Sequence, residues 1–161
     1  PHNFIWEREA EGRKYYIHRK GACSARGMEE MEETPFAYYG EPVMIPGSMG
    51  SSSYLLKGMG NPDALWSASH GAGRRLSRGD AIHGSDEEFQ EFMKKFHVVT
   101  PIDPNRSDLK GRSDILKKWE ESIRSEAPYA YKDIDQVVKV HEDHDMAGLV
   151  ARMEPLFTVK A

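Results

Sequence analysis

Apolar positions along the chain change their period several times, and each change predicts an element. "FIWERE" (residues 4–9) and "KYYIHRKGAC" (residues 14–23) are short runs rich in aromatic and β-branched residues, divided by "AEGR". They predict two strands joined as a hairpin, with Gly12 supplying the turn. Residues 24–40 hold four glutamates, two methionines and Pro35, and predict a surface loop. "EPVMIPGSMGSSSYLLKGMG" (residues 41–60) then predicts a strand over Val43–Ile45, a Gly/Ser loop and a second strand over Tyr54–Lys57. Gly58, Gly60, Asn61 and Pro62 end that second strand by turn chemistry.

The period then lengthens. Ser85 precedes Asp86 and Glu87, with Glu88 at the third helical position, the spacing of a capping box. Phe89, Phe92, Met93 and Phe96 follow at i, i+3, i+4 and i+7, one apolar stripe. "HVVTPID" predicts a strand closed by Pro101 and Pro104. "SDILKKWEESI" predicts a second amphipathic helix with Ile115, Leu116, Trp119 and Ile123 on one face. Asp133 is placed to cap a short helix through Val140, and "LVARMEPLFTVKA" reads as a passage from helix to strand. No internal repeat appears. Strands and helices mix without regular alternation, which predicts an α+β fold, with mixed or antiparallel sheets flanked by helices.

Composition narrows the classes. With 161 residues, 39% hydrophobic and 30% charged, the chain is a globular domain with its own core and not a disordered tail. A net charge of −4 excludes a uniformly basic nucleic-acid sleeve, so any polyanion site must be local. One cysteine, Cys23, excludes an internal disulfide framework and fits a reducing, cytoplasmic compartment. No run of 18 apolar residues occurs, so no membrane partner is expected.

Two Gly-rich segments could carry chemistry. "PGSMGSSSY" combines glycines, which let backbone N–H groups approach a ligand, with serine hydroxyls suited to phosphate or a purine edge. It lacks the Lys-Ser/Thr ending of a P-loop, and such a loop between strands is more often a plain turn. In "SHGAGRRLSR", Gly71 and Gly73 leave the backbone open beside His70, and Arg74, Arg75 and Arg78 follow. A neutral imidazole is a nucleophile toward phosphorus near pH 7, and arginines bind phosphate oxygens bidentately. The competing reading is a turn with a partly buried histidine before a solvated basic helix start. His2 beside Asn3 is a possible metal ligand or a frayed terminus. His141 and His144 in "HEDHD" could be a surface metal pair, though a solvated polar helix end is the commoner outcome. Cys23 has no second ligand at metal spacing and reads as structural.

In order, "HNF", "HRKGA", "IPGSMGSSSYLL", "SASHGAGRRLSR", "EAPYAYKDIDQVV" and the closing "VKA" resemble the C-terminal part of the RtcB-type RNA-splicing ligases, across residues 2 to 160. "PGSMG" and "SHGAGR" together, followed by "YKDID", carry the resemblance; either alone would not.

The resemblance implies a fold that is the C-terminal part of a larger single catalytic domain, the N-terminal metal-binding half being absent from this chain. It implies a GTP- and manganese-dependent ligase. Such an enzyme joins RNA 3′-phosphate or 2′,3′-cyclic phosphate ends to 5′-hydroxyl ends in tRNA splicing and RNA repair. His70 matches the histidine that accepts GMP covalently. Gly71, Ala72 and Gly73 match the backbone beside the nucleotide, while Pro46, Gly47, Ser48, Met49 and Ser53 match the lining of the GMP pocket. Lys160 matches a lysine reading the guanine carbonyl, and Tyr131 a tyrosine beside the nucleotide. His2 matches a manganese ligand, and it and Asn3 lie near the GMP phosphate. Lys20, Arg74 and Arg78 match residues that hold RNA phosphates. Implied partners are RNA, the N-terminal half of the ligase and the small activator protein archease.

The Asp/Cys metal pair, the Asn-His-Phe motif and the His-Ser-Gly-Ser-Arg motif of such ligases do not occur here. Cys23 falls where the family has Thr or Val, and the span 98–125 is longer and more polar than the pattern. The alternative reading is a fragment that binds guanine nucleotide or RNA phosphates without turnover of its own, or a core piece with no retained activity.

Overall fold

The computed structural model describes residues 3–160. Its strands and helices, in chain order, begin with β1 (Asn3–Ala10), β2 (Arg13–Lys20), β3 (Ala22–Ser24), β4 (Pro42–Ile45), β5 (Ser53–Gly58) and β6 (Ser67–Ser69). They continue with α1 (Arg78–Ile82), α2 (Asp86–Lys95), β7 (Val98–Val99), α3 (Ser113–Arg124), α4 (Ile134–Asp143), β8 (Ala147–Met153) and β9 (Thr158–Val159). The result is a mixed α/β fold of small sheets, all antiparallel except the parallel pair of β7 and β9. No helix of the described residues is long and apolar enough to cross a membrane.

The chain divides into two compact units. Unit 1 contains the described residues up to Gly47, with Ser52–Ala72 and Asp133–Met153; unit 2 contains Ser48–Ser51, Gly73–Lys132 and the residues from Glu154 on.

Unit 1 is built on the sheet β4-β5-β8, with β5 central. Val43 and Ile45 of β4 and Tyr54 and Leu56 of β5 alternate inward and are buried. Ile134 and Val138 of α4 and Ala147 of β8 complete that core. The β1–β2 hairpin forms as its sequence predicts: Ala10 pairs with Arg13 across Glu11 and Gly12, whose φ angles are +51° and +71°. Positive φ at both turn residues is the two-residue geometry that matches strand twist, and glycine adopts it without strain. Unit 2 has its own core, where Met49, Phe89 and Ile123 are buried among Phe92, Met93, Val98, Trp119 and Tyr129. The Ser85 hydroxyl accepts from the Glu88 N–H at 3.3 Å and starts α2 as expected.

Several expectations change. "KYYIHRKGAC" is two strands, because Gly21 at φ +70° breaks the run before β3. The 24–40 loop contains a 3-10 turn at Met28–Met31 and buries Ala25 and Met31. "HVVTPID" keeps only two strand residues, β7. α4 runs three residues past Val140. "LVARMEPLFTVKA" contains no helix: β8 pairs with β5 and β9 with β7. β8 is an edge strand, its pairing with β5 skips Val150, and Leu149 and Val150 are both exposed, so its sequence lacks the alternation that marks a half-buried strand.

Candidate functional site

In unit 1, β6 pairs with β3 and delivers His70 directly after its last residue. The His70 N–H donates to the Gly21 carbonyl at 3.1 Å, and the His70 side chain is exposed. Ser69 is fixed twice: its N–H donates to Nε2 of His141 at 2.8 Å, and its hydroxyl donates to the Gly71 carbonyl at 2.9 Å. His141 lies on α4, is 4% exposed, and its Nδ1–H donates to the Val137 carbonyl at 2.7 Å. A carbonyl can only accept and an amide N–H can only donate, so these two bonds define the neutral Nδ1–H tautomer of His141. The ring therefore ties α4 to the backbone immediately before His70.

The end of β4 approaches the same segment. A Cβ built on Gly71 would lie 3.7 Å from the Pro46 carbonyl, so the Pro46-Gly47 and His70–Ala72 backbones are neighbours within unit 1. The Gly47 N–H donates to the Ser53 hydroxyl at 3.0 Å, closing the mouth between β4 and β5. Ala72 packs against the unit 1 core. On the hairpin, Asn3 and Lys20 are cross-strand partners and exposed, and the Asn3 side-chain oxygen accepts from His18 Nε2 at 2.6 Å. His2 lies outside the described residues.

Ser48 and Met49 belong to unit 2. The Ser51 N–H donates to the Ser48 carbonyl at 3.0 Å, the two hydroxyls are 2.9 Å apart, and Met49 points its side chain into the unit 2 core. Only its backbone is left for a ligand.

Unit 2 also holds Gly73, Arg74, Arg78, Tyr131 and Lys160. The Lys132 N–H donates to the Gly73 carbonyl at 3.0 Å, and Arg74 and Tyr131 form an isolated antiparallel bridge. Around that bridge, Glu126 collects three partners: the Tyr131 hydroxyl, Arg74 Nη1 at 3.1 Å and Arg78 Nε at 3.0 Å. Burial works to raise the Glu126 pKa, but bonds from Tyr131 and Arg78 and the charge of Arg74 hold it below the ordinary carboxylate value. Tyr131 moves the other way, pushed up by burial and by its bond to Glu126. The remaining Arg74 donors go to the Leu76 carbonyl at 2.9 Å and the Ser125 carbonyl at 2.5 Å, so its guanidinium is spent on unit 2 itself. Arg78 keeps most of its side chain in solvent. The Lys160 N–H donates to the Val99 carbonyl at 2.8 Å, and Lys160 lines a cavity of about 200 Å³ beside Trp119, Thr100 and Ile102.

Sequence reasoning missed Glu126 and His141. His141 sits seven residues after Ile134 and three after Val138, on the buried stripe of α4, so the helical period could have found it. Neither the surface metal pair nor the expected solvated helix end holds for His141, which is buried with both ring nitrogens bonded; the His144 carbonyl accepts from Asn61 Nδ2 at 2.7 Å at the helix end. Glu126 left no periodic signal; only its place at the head of "EAPYAYKD" pointed to it. Cys23 is structural as expected, its thiol within 3.7 Å of the Ala68 and Ser69 carbonyls and its pKa pushed up, first by burial.

A family model described as tRNA-splicing ligase RtcB matches residues 1–161. The chain is 38% identical over 151 residues to the RNA-splicing ligase RtcB of Mycobacterium tuberculosis, covering 92% of this chain and 31% of that protein. It is 38% identical over 155 residues to the tRNA-splicing ligase RtcB of Pyrobaculum aerophilum, with 92% and 28% covered. Against the tRNA-splicing ligase RtcB of Pyrococcus horikoshii the figures are 37% over 164 residues, 97% and 17%. The chain thus spans less than a third of the length of these relatives.

Proposed function

Because the chain belongs to the RtcB tRNA-splicing ligase family, we propose that it supplies the guanylate-accepting portion of an RNA ligase, with His70 as nucleophile. The observation that carries this reading is the setting of His70 in unit 1. Its side chain is exposed, while the backbone leading into it is held by Gly21 and His141. A nucleophile so fixed loses little further freedom on meeting its substrate. The open Cα of Gly71 beside the Pro46 carbonyl leaves room for a phosphate near the imidazole.

In the proposed reaction, an imidazole nitrogen of His70 attacks the α-phosphorus of GTP. The bond to the bridging oxygen breaks, pyrophosphate leaves and a P–N bond forms. An RNA 3′-phosphate, produced directly or by opening a 2′,3′-cyclic phosphate, takes the GMP through one of its oxygens and frees His70. A 5′-hydroxyl then attacks the activated 3′-phosphorus and releases GMP. Gly71, Ala72 and Gly73 approach the nucleotide through their backbone, as do Pro46, Gly47, Ser48 and Met49. The Ser53 hydroxyl, Asn3 and the Tyr131 ring border it, and the Lys160 ammonium donates to the guanine carbonyl. Lys20 and Arg78, both exposed, meet RNA phosphates; Arg74 does so only if it releases Glu126. Among the described residues no three His, Cys, Asp or Glu side chains converge as a metal site requires. His2, the proposed manganese ligand, lies outside those residues, so manganese chemistry falls outside the steps these side chains account for. Archease is a proposed partner of the whole ligase.

The test is transfer of label from GTP carrying a radioactive α-phosphate to the complete natural polypeptide in the presence of manganese. Acid-labile, alkali-stable label is expected, and His70→Ala abolishes it. Label that survives that substitution overturns the assignment, and GTP binding without labelled protein favours the non-catalytic reading.

A further inference from the structure

The β1–β2 hairpin carries three aromatic residues, two arginines and one isoleucine on one face. Phe4, Trp6 and Arg8 of β1 stand opposite Arg19, Ile17 and Tyr15 of β2. Within unit 1, Trp6, Arg8, Ile17 and Arg19 line a cavity of about 280 Å³ together with Glu7, Ser24 and the pair Arg26–Glu41.

The charges around it do not balance. Glu41 accepts from Nε and Nη2 of Arg26, both at 3.1 Å. Glu30 is bonded to Arg8, and Glu7 lies 2.6 Å from Lys14 Nζ. Arg26, Arg8 and Lys14 each bond one of these carboxylates, whereas Arg19 bonds none directly and, of the three, only the nearby charge of Glu41 acts on it. It is 7% exposed, and its partners among the described residues are neutral. Its Nε donates to the Ser67 hydroxyl at 2.8 Å, and its Nη2 donates to the Leu65 and Trp66 carbonyls at 3.1 and 3.2 Å. These bonds leave Nη1 of Arg19 without a partner among the described residues. A guanidinium this deeply buried, with no carboxylate bonded directly to it, is stabilised by an anion at its free donor.

Arg8 gives a second, independent sign. Its guanidinium lies 3.6 Å over the Trp66 ring, and its Nε is buried with no hydrogen-bond partner. Burial and the nearby charges of Arg19 and Arg26 all lower its pKa, as expected where positive charge is crowded.

We propose that this cavity is a phosphate-binding site, holding the oxyanion of a phosphate monoester or diester between Nη1 of Arg19 and Nε of Arg8. Planar guanidinium donors match phosphate oxygens in number and direction. At the rim, Trp6 is half exposed and its ring centroid is 5.1 Å from that of Phe4, an apolar surface on which a nucleobase attached to the phosphate can stack. The site rests on unit 1 alone and does not depend on the role of His70.

The test has two arms on the complete natural polypeptide. In the first, phosphate replaces chloride at constant ionic strength while thermal unfolding is followed. In the second, a fluorescent single-stranded RNA of about 12 nucleotides is titrated and its anisotropy read. Arg8→Lys keeps the charge but removes the Nε donor, and Arg19→Gln removes the charge that no carboxylate bonds directly. Arg106→Gln, on an exposed ion pair in unit 2, is the control. The parent and the control gain about 2–4 °C in phosphate, and Arg8→Lys gains less than half of that. If the source is a nucleic-acid backbone, Arg8→Lys also weakens RNA binding by about 5- to 10-fold; if it is free phosphate, only the thermal arm changes. The proposal is overturned if the parent responds in neither arm, or if Arg8→Lys responds as the parent does. Should Arg19→Gln fail to fold, Arg8→Lys still decides.

Discussion

The stretch from Ser69 to Arg78 is held in two different ways. At its start, Ser69 and His70 are fixed through backbone N–H groups, which donate to His141 and to the Gly21 carbonyl, and the His70 side chain stays exposed. At its end, the side chains of Arg74 and Arg78 are themselves fixed, by one carboxylate, Glu126, shared with Tyr131. A reactive group is best presented by ordering its backbone and keeping its side chain at the surface. A binding group that is pre-ordered by an internal anion must give that anion up before it can take another. The first arrangement suits a nucleophile, and the second suits a scaffold with one exposed arginine at its edge.

The contrast breaks most severely at Glu126. Glu126→Leu strips a partner from Arg74, Arg78 and Tyr131 together and leaves a largely buried guanidinium without its counter-charge. A loss of about 2–4 kcal/mol is expected in denaturant unfolding. Its pH dependence is a second check. The folded-state pKa of Glu126 lies below its ordinary value of 4.5. Its contribution is therefore complete above pH 4.5 and disappears as pH falls through the depressed folded value. The stability gap between parent and variant should narrow below that pH; a constant gap would mean that Glu126 contributes volume and not charge.

A smaller effect, on the other half, comes from His141. His141→Leu fills the space but leaves the Ser69 N–H without an acceptor, at a cost of about 1–3 kcal/mol. His141→Gln can restore an acceptor near the Nε2 position. If His141 positions His70 rather than only stabilising α4, guanylylation at saturating GTP falls about 10-fold in the Leu variant and recovers in the Gln variant, with KM for GTP little changed. Equal activity in both variants, at whatever stability, would show that the Ser69 bond has no bearing on His70.

Legibility in the sequence divides along similar lines. Elements that depend on periodicity or turn chemistry were readable. The hairpin followed from Gly12, α2 from Ser85 and the Phe89 stripe, and α3 from Ile115 to Ile123. β6 was not, because a three-residue strand carries no period of its own and exists through pairing with β3. At the C-terminus the closing strand was readable, but the strand β8 before it reads as helix. Among the site residues, the "SHGAGR" motif pointed to His70, yet His141 and Glu126, which hold the two ends of that stretch, come from segments 72 and 48 residues from their partners Ser69 and Arg78. Such bonds are made by the fold, and local sequence says nothing of them.

The smallest expected effect on stability separates the two arginines. Arg78 exposes three-quarters of its side chain and shares Glu126 with Arg74, whose other donors are bound to the Leu76 and Ser125 carbonyls. An exposed member of a shared pair contributes little to folding, because water screens it and the buried member keeps the carboxylate satisfied. Arg78→Gln should therefore leave the unfolding temperature within about 1 °C of the parent. If Arg78 is the arginine that reaches an RNA phosphate, the same change lowers RNA affinity by a similar factor for every sequence. It also reduces the slope of log affinity against log salt by about 1. Arg74→Gln should show the reverse, a marked loss of stability with an RNA salt slope unchanged once folded protein is compared. If both variants alter the salt slope equally, Glu126 yields to RNA phosphate and the cluster is a binding site held closed. If neither does, the RNA path runs elsewhere, and Lys20 is the next residue to substitute.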